Sequence, residues 1–135
     1  MPKFLDVTCI VLLNQYGYVL CAQRGPSMKS PNKWEFPGGK LEQGEDLESC
    51  IRREIKEELS LDLLTLTKGP CFVSLLPDFN LLRLHVLICT DFRGEPMASE
   101  HKALEWRDPN DLGVLDWLDA DSPIVTWLTQ SRNRK

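Results

Sequence analysis

The sequence has no apolar run long enough to span a membrane, and no two cysteines have C-x-x-C spacing. The first absence predicts a protein without a membrane partner, and the second argues against a zinc site built from cysteine pairs. The cysteines are odd in number and several lie in apolar segments, which predicts reduced, mostly buried thiols and a cytoplasmic location. They are Cys9, Cys21, Cys50, Cys71 and Cys89.

Basic charge is also scarce, because 16 Lys and Arg residues against 20 Asp and Glu residues leave a formal net charge of −4. Stable binding to nucleic-acid backbones relies on basic patches, so no such partner is expected. Repeats, low-complexity tracts and linkers are missing too, and 135 residues suit one compact domain over residues 1–135. The first residues, MPKFLDVTCIVLLNQ, predict a strand rather than a signal peptide, because they combine one basic residue with a short apolar run.

The hydrophobic pattern predicts strands separated by turns and three helical segments. A turn at residues 14–17 predicts that the first two strands pair as a hairpin. A helix is expected to begin near residues 45–47, a short helical turn at Asp108-Pro109, and a last helix at Pro123 with Ser122 as its cap. The predicted strands cover residues 4–13, 18–24, 34–36, 71–76, 81–92 and 103–107.

Three glutamates, Glu54, Glu57 and Glu58, stand at positions i, i+3 and i+4 of the predicted helix. This spacing brings their carboxylates within about one helical turn, where each like-charge pair costs roughly a few tenths of a kcal/mol. A hard divalent cation such as Mg²⁺ or Mn²⁺ would offset that repulsion. The alternative is a solvated helix surface, which is common for glutamate-rich helices. The glutamates flank an apolar stripe, so we expect them to be partly shielded from water.

A longer spacing extends this cluster on both sides. It resembles the Nudix box, G-x5-E-x7-R-E-U-x-E-E-x-G-U with U a bulky aliphatic residue, at every position except residue 60. The box has Gly there and this chain has Ser60, which either adopts a left-handed conformation at a cost of about 1 kcal/mol or sends the chain along another path. The matching residues are Gly39, Glu45, Arg53, Glu54, Ile55, Glu57, Glu58 and Leu61.

The resemblance implies a fold and a chemistry. The fold is the Nudix fold of the α+β class, an α/β/α sandwich around a mixed, partly antiparallel β-sheet. The chemistry is Mg²⁺-dependent hydrolysis, with Mn²⁺ as a substitute, of a nucleoside diphosphate linked to a further group. The resemblance assigns metal binding to Gly38, Glu54, Glu57, Glu58 and Glu100, and catalysis to these four glutamates without saying which is the base.

Three further residues of the box have structural roles in the family. The resemblance implies that Arg53 holds the loop residue Glu45 and orients the glutamates, and a guanidinium can grip a carboxylate with two hydrogen bonds. Gly39 belongs to the sharp turn Pro37-Gly38-Gly39, where glycine accepts backbone angles that other residues resist.

The rest of the chain is similar to the MutT-like branch of the family, in KWEFPGGKLE, in GEP at residues 94–96 and in LDADSPIV near the C-terminus. That branch cleaves nucleoside triphosphates or their deoxy forms to a monophosphate and diphosphate. This implies a small-molecule nucleotide substrate, of the cytidine type or oxidised as in 8-oxo-dGTP, and a monomer or homodimer. Another nucleoside diphosphate derivative, such as a nucleotide sugar, a dinucleoside polyphosphate or an RNA 5′ end, is the alternative. A non-catalytic binding module is disfavoured, because all box glutamates are present.

Several residues outside the box are candidates for substrate contacts. Arg24 is either a phosphate ligand or a surface charge. Lys40, beside the glycine turn, either meets a triphosphate, as the resemblance implies, or lies in solvent. The ring of Phe36 either stacks on the base or belongs to the core. Asp121 either reads the base or caps the last helix. Glu100 is a surface residue by sequence alone, and it becomes a site residue through the resemblance.

Overall fold

The computed structural model describes residues 3–133, which form seven strands, two α-helices and one 3-10 helix. No helix in this range is long and apolar enough to cross a membrane. In chain order the elements are β1 (Phe4–Leu12), β2 (Val19–Gln23), β3 (Trp34–Glu35), β4 (Gly38–Lys40), α1 (Leu47–Leu59), β5 (Asp62–Leu75), β6 (Leu81–Arg93), β7 (Ala103–Arg107), the 3-10 helix (Pro109–Val114) and α2 (Ser122–Asn133).

The strands form two sheets. The larger sheet has the order β4-β1-β6-β5, with β1 and β6 parallel and the other neighbours antiparallel. The smaller sheet has the order β3-β2-β7 and is antiparallel throughout. The predicted hairpin between the first two strands is wrong, because β4 and β6 occupy the two edges of β1. An isolated bridge between Leu13 and Val19 marks the point where β1 and β2 part.

The core lies on both faces of the larger sheet, because successive residues of β1 point in opposite directions. Ile10 and Leu12 pack in a cluster with Ile51, Ile55 and other apolar residues of α1. Cys9 and Val11 belong to a second cluster that includes Ile124 of α2. The predicted α/β/α sandwich with a mixed sheet is therefore confirmed.

Helix α1 carries the three glutamates, and both of its ends have defined caps. The side chain of Asp46 accepts a hydrogen bond from the Ser49 N–H at 2.8 Å, so the helix begins where the sequence predicts. At the other end Ser60 adopts the left-handed conformation, with φ 60° and ψ 34°, and its N–H bonds to the Lys56 carbonyl. The chain therefore follows the path expected for glycine, with a serine that pays about 1 kcal/mol for it.

Strand β5 is longer than the sequence indicates, since it begins at Asp62 and not near residue 71. Gly69 and Pro70 interrupt the strand pattern of this segment. The structure accommodates them with a register shift between Lys68 and Cys71, where the pairing with β6 is irregular. A β-bulge therefore lets β5 continue past Gly69 and Pro70, where the low strand propensity of these residues predicts that it ends.

Other local predictions are confirmed. Strand β7 covers residues 103–107, and the Asp108 side chain accepts the Asn110 N–H at 2.9 Å to begin the 3-10 helix. Helix α2 begins at Ser122, slightly earlier than predicted. All five cysteines are free thiols, and of these Cys71 is exposed.

Candidate active site

The four glutamates predicted to be catalytic line one cavity of about 240 Å³. Three come from α1, and Glu100 comes from the loop before β7. The structure therefore brings together side chains that are widely separated in the sequence. The cavity is lined by Met28, Glu54, Glu57, Glu58, Ser99, Glu100 and His101.

The loop that carries Glu100 is tied to the end of α1. The N–H groups of Met97 and Ser99 donate to the carbonyls of Leu59 and Glu58, at 3.0 and 3.2 Å. Carbonyls in the last turn of a helix have no partner within the helix, so this loop supplies one. These two bonds place residues 100 and 101 beside the C-terminal turn of α1.

Arg53 connects the box residues to one another. Its guanidinium donates to both carboxylate oxygens of Glu45, at 2.8 and 3.0 Å, and to Glu54 Oε1 at 2.9 Å. The hydrogen bond from Arg53 lowers the pKa of Glu45 to about 2. The contact between Arg53 and Glu45 that the resemblance implies is present. Arg53 also lies 3.6 Å from Glu57, so it touches two of the cavity's carboxylates.

The glycine turn lies against both the sheet and the helix. Gly38 and Gly39 pair with Cys9 and Thr8 of β1. A Cβ atom on Gly39 would collide with the carboxylate of Glu54, and one on Gly38 would collide with the carbonyl of Thr8. Close approach to the backbone therefore requires glycine at position 38, whereas a methyl group at position 39 would displace the Glu54 carboxylate.

The carboxylates of α1 differ in their surroundings. Burial raises the pKa of Glu58 to about 9, and the nearby charges of Glu35, Glu54 and Glu57 act in the same direction. Burial also raises the pKa of Glu54. The Glu57 side chain is 61% exposed, so the expectation that all three carboxylates are partly shielded from water does not hold for Glu57.

The donor set fits a hard divalent cation. Glu58 Oε2 is buried and has no hydrogen-bond partner among the described residues. An anionic oxygen in that position is costly unless a positive charge or a proton compensates it. Clustered carboxylate oxygens are the ligands that Mg²⁺ and Mn²⁺ prefer, so the residues present suit such an ion.

Sequence reasoning missed two residues at this site, Glu35 and His101. Glu35 Oε1 accepts from Arg24 Nη1 at 2.6 Å, and Glu35 Oε2 lies 2.7 Å from His101 Nε2. Arg24 is thus anchored by an ion pair, with 17% of its side chain exposed, so it is not an ordinary surface charge. A charged residue between the two apolar aromatics Trp34 and Phe36 was the available signal for Glu35.

All four candidates for substrate contacts line a second cavity, of about 260 Å³. They are Arg24, Phe36, Lys40 and Asp121, and apolar side chains that include Leu82, Leu84 and Leu118 also line the cavity.

Two of the residues that line this cavity, Asp121 and Phe36, are buried. The ring of Phe36 stacks on Trp117, with ring centroids 4.6 Å apart, which places it in the core. Asp121 is 6% exposed, and its Oδ2 accepts the Phe36 N–H at 2.8 Å. Burial raises the pKa of Asp121 to about 7. This carboxylate oxygen bonds to the segment after β3, while the Asp121 backbone carbonyl accepts the Ile124 N–H of α2.

Comparison with known proteins places this site in a family. The NUDIX domain matches residues 2–128. The chain is 30% identical to the CTP pyrophosphohydrolase of Escherichia coli K12 over 125 residues, which cover 91% of this chain and 90% of that protein. It is 27% identical to the 8-oxo-dGTP diphosphatase of the same strain over 126 residues, 93% of this chain and 97% of that protein. The solution structure of the E. coli ORF135 protein has a TM-score of 0.87 and 27% identity, covering 99% of this chain and 94% of that one.

The chain therefore belongs to the NUDIX domain family. It is a Nudix hydrolase of the MutT-like branch, and its chemistry is the hydrolysis of nucleotides.

Proposed function

We propose that this chain is a Mg²⁺-dependent nucleoside triphosphate pyrophosphohydrolase, which also accepts Mn²⁺ and releases a nucleoside monophosphate and diphosphate. The observation that carries the proposal is that two cavities adjoin: the one lined by the four glutamates, called the carboxylate cavity, and the one lined by Phe36, Asp121 and several leucines, called the apolar cavity. Gly39, in the apolar cavity, abuts Glu54 in the carboxylate cavity, and Glu35 of the former contacts His101 of the latter. A nucleotide with its base in one cavity extends its phosphates toward the other.

The carboxylate cavity would hold the metal through Glu54, Glu57, Glu58 and Glu100, and the carbonyl of Gly38, which lines the adjoining cavity, would be a further ligand. When bound, the ion neutralises phosphate oxygens and makes a coordinated water more acidic. One of the four glutamates accepts the proton of the attacking water.

The remaining residues position these groups. Arg53 fixes Glu54 by a 2.9 Å hydrogen bond and holds the loop at Glu45, and Gly39 leaves room for the Glu54 carboxylate. Lys40 is exposed at the mouth of the apolar cavity, so its ammonium group can meet the negative charge of a triphosphate. Arg24 also lines this cavity and is held by Glu35.

We assign base recognition to Asp121. With a pKa of about 7 this carboxyl is present in both protonation states near neutral pH. The ionised form accepts a hydrogen bond from an exocyclic amine, and the protonated form donates to a keto oxygen or a ring nitrogen. Cytosine and 8-oxoguanine both carry an amine beside such an acceptor, so we propose nucleotide-pool sanitation with cytidine-type or oxidised nucleotides as substrates. The names of two relatives, CTP pyrophosphohydrolase and 8-oxo-dGTP diphosphatase, support this choice.

We further propose that the enzyme acts in the cytoplasm as one domain, a monomer or homodimer that does not bind nucleic acid stably. The five free thiols suit a reducing compartment. The net charge of −4 opposes binding to a polyanion.

The test is a screen of ordinary and oxidised nucleoside triphosphates with Mg²⁺, in which diphosphate and orthophosphate are detected separately. We expect diphosphate from triphosphates, with cytidine or oxidised guanine nucleotides ranked first. Orthophosphate as the sole inorganic product would contradict the proposed reaction. Turnover of nucleotide sugars, dinucleoside polyphosphates or capped RNA without turnover of any triphosphate would contradict the substrate class, and no turnover at all would favour a binding module.

A further inference from the structure

Two side chains that line the carboxylate cavity, Glu58 and His101, form a cluster with Glu35 of the adjoining cavity. One potential ligand atom from each of Glu35, Glu58 and His101 lies within 4.8 Å of the other two. Of these residues Glu58 belongs to the box, whereas Glu35 comes from β3 and His101 from the loop before β7. The cluster is therefore assembled from three separate parts of the chain.

Two potential metal ligands in this cluster, Glu58 Oε2 and His101 Nδ1, are buried and have no hydrogen-bond partner among the described residues. The His101 side chain is 1% exposed, so water does not readily satisfy its ring nitrogen. Buried polar atoms in native proteins nearly always have a partner. Glu58 and His101 line the same cavity, and a ring nitrogen of His101 lies within 4.8 Å of a carboxylate oxygen of Glu58.

Glu35 fixes the orientation of the imidazole. Its Oε2 lies 2.7 Å from His101 Nε2, and its Oε1 is held by Arg24 at 2.6 Å. A carboxylate that is paired with a guanidinium accepts hydrogen bonds, so Nε2 carries the proton. The lone pair of the neutral ring is then on Nδ1. A carboxylate that holds one ring nitrogen while the other faces a metal is the usual arrangement around metal-bound histidines.

We propose that His101 Nδ1 and Glu58 Oε2 bind a divalent cation together, with Glu35 as the positioning residue for the imidazole. The proposal rests on the proposed function, since Glu58 is also assigned to the metal site there. It adds a nitrogen ligand to a set of oxygen ligands. Mg²⁺ binds oxygen almost exclusively, whereas Mn²⁺, Co²⁺ and Zn²⁺ accept imidazole, so His101 strengthens the binding of these transition metals without adding to the binding of Mg²⁺ by the oxygen ligands.

The direct test uses Mn²⁺, whose unpaired electrons report bound nitrogen through electron spin echo envelope modulation. The chain has two histidines, so His85→Gln is a matched control for His101→Gln. His85 contacts Asp6 Oδ1 on the larger sheet and does not line the carboxylate cavity. We expect ¹⁴N modulation from a directly bound imidazole in the wild type and in His85→Gln, and its loss in His101→Gln.

Affinity gives a second readout. The Kd for Mn²⁺, measured by titration of the free-ion signal, should rise about tenfold or more in His101→Gln. The Kd for Mg²⁺, measured by competition, should change by about twofold or less, because Mg²⁺ does not depend on the nitrogen. If His101→Gln fails to fold, the wild type and His85→Gln still decide the ligand, since modulation in both leaves His101 as its source.

Bound Mn²⁺ without ¹⁴N modulation in the wild type would overturn the proposal, and so would an unchanged Kd for Mn²⁺ in folded His101→Gln. Diphosphate release with Mg²⁺, measured on the same samples, separates this proposal from the proposed function. Turnover without ¹⁴N modulation refutes the histidine ligand alone. Modulation without turnover of any triphosphate refutes the proposed function alone.

Discussion

Replacing Glu58 with glutamine is expected to stabilise the metal-free protein while it removes a proposed metal ligand. Burial raises the pKa of Glu58 to about 9, from an ordinary value of 4.5. A carboxyl with a raised folded-state pKa favours folding fully below pH 4.5 and loses that contribution as the pH rises toward 9. Glutamine has nearly the same shape and no charge, so the Glu58→Gln protein should not lose stability in this way as the pH rises.

The size of the effect follows from the two pKa values. Above pH 4.5 the wild type loses about 1.4 kcal/mol of stability for each pH unit relative to the variant. The difference should be near zero at pH 4.5 and roughly 3 kcal/mol at pH 7. Added Mg²⁺ should reverse the order by stabilising the wild type more than the variant, because a ligand that binds only the folded state adds to its stability.

The assay is urea denaturation in EDTA at several pH values between 4.5 and 8.5, followed by tryptophan fluorescence. Glu57→Gln is the matched control, since this side chain is 61% exposed and its removal should change the free energy of unfolding much less than Glu58→Gln does. A Glu58→Gln variant that is less stable than the wild type at pH 7, or a difference that does not grow with pH, would refute the reasoning.

Three further substitutions test other parts of the account. Asp121→Asn should keep the oxygen that accepts the Phe36 N–H and change the ranking of substrates more than the overall kcat. The wild type should lose at most about 4 kcal/mol of stability as the pH rises from 4 to 7, and this variant should not. Ser60→Gly should raise the free energy of unfolding by about 1 kcal/mol in urea, because glycine adopts φ 60° without strain. Gly39→Ala should lower kcat about 100-fold with an unchanged circular dichroism spectrum, because its methyl group displaces the Glu54 carboxylate. A uniform loss of kcat on all substrates would contradict the expectation for Asp121→Asn. An unchanged free energy of unfolding would contradict the one for Ser60→Gly, and an unchanged kcat the one for Gly39→Ala.

Features set by neighbouring residues were predictable from the sequence. The i, i+3, i+4 spacing of Glu54, Glu57 and Glu58 fixes their relation on any helix, and Asp46 begins that helix as its position predicts. The contact between Arg53 and Glu45 followed from the resemblance to the box.

Features that depend on distant parts of the chain were not predictable. Glu35 and His101 are 66 positions apart, and their contact exists only because β3 and the loop before β7 meet at the cavity. The prediction that β1 pairs with the next strand, β2, was wrong for the same reason, since its partners β4 and β6 lie further along the chain. The helical spacing predicts that Glu57 lies near the other glutamates, but it does not predict that 61% of its side chain is exposed to water.

The central claim is that the carboxylate cavity cleaves a triphosphate to a monophosphate and diphosphate. The most direct measurement is ³¹P NMR of the products formed from CTP and from 8-oxo-dGTP with Mg²⁺, for the wild type, Glu57→Gln and the surface control Glu48→Gln, whose side chain lies in the exposed first turn of α1. We predict diphosphate and monophosphate signals for the wild type and the control, and a kcat lower by about two orders of magnitude or more for folded Glu57→Gln. Nucleoside diphosphate with orthophosphate, or full activity in Glu57→Gln, would contradict the account.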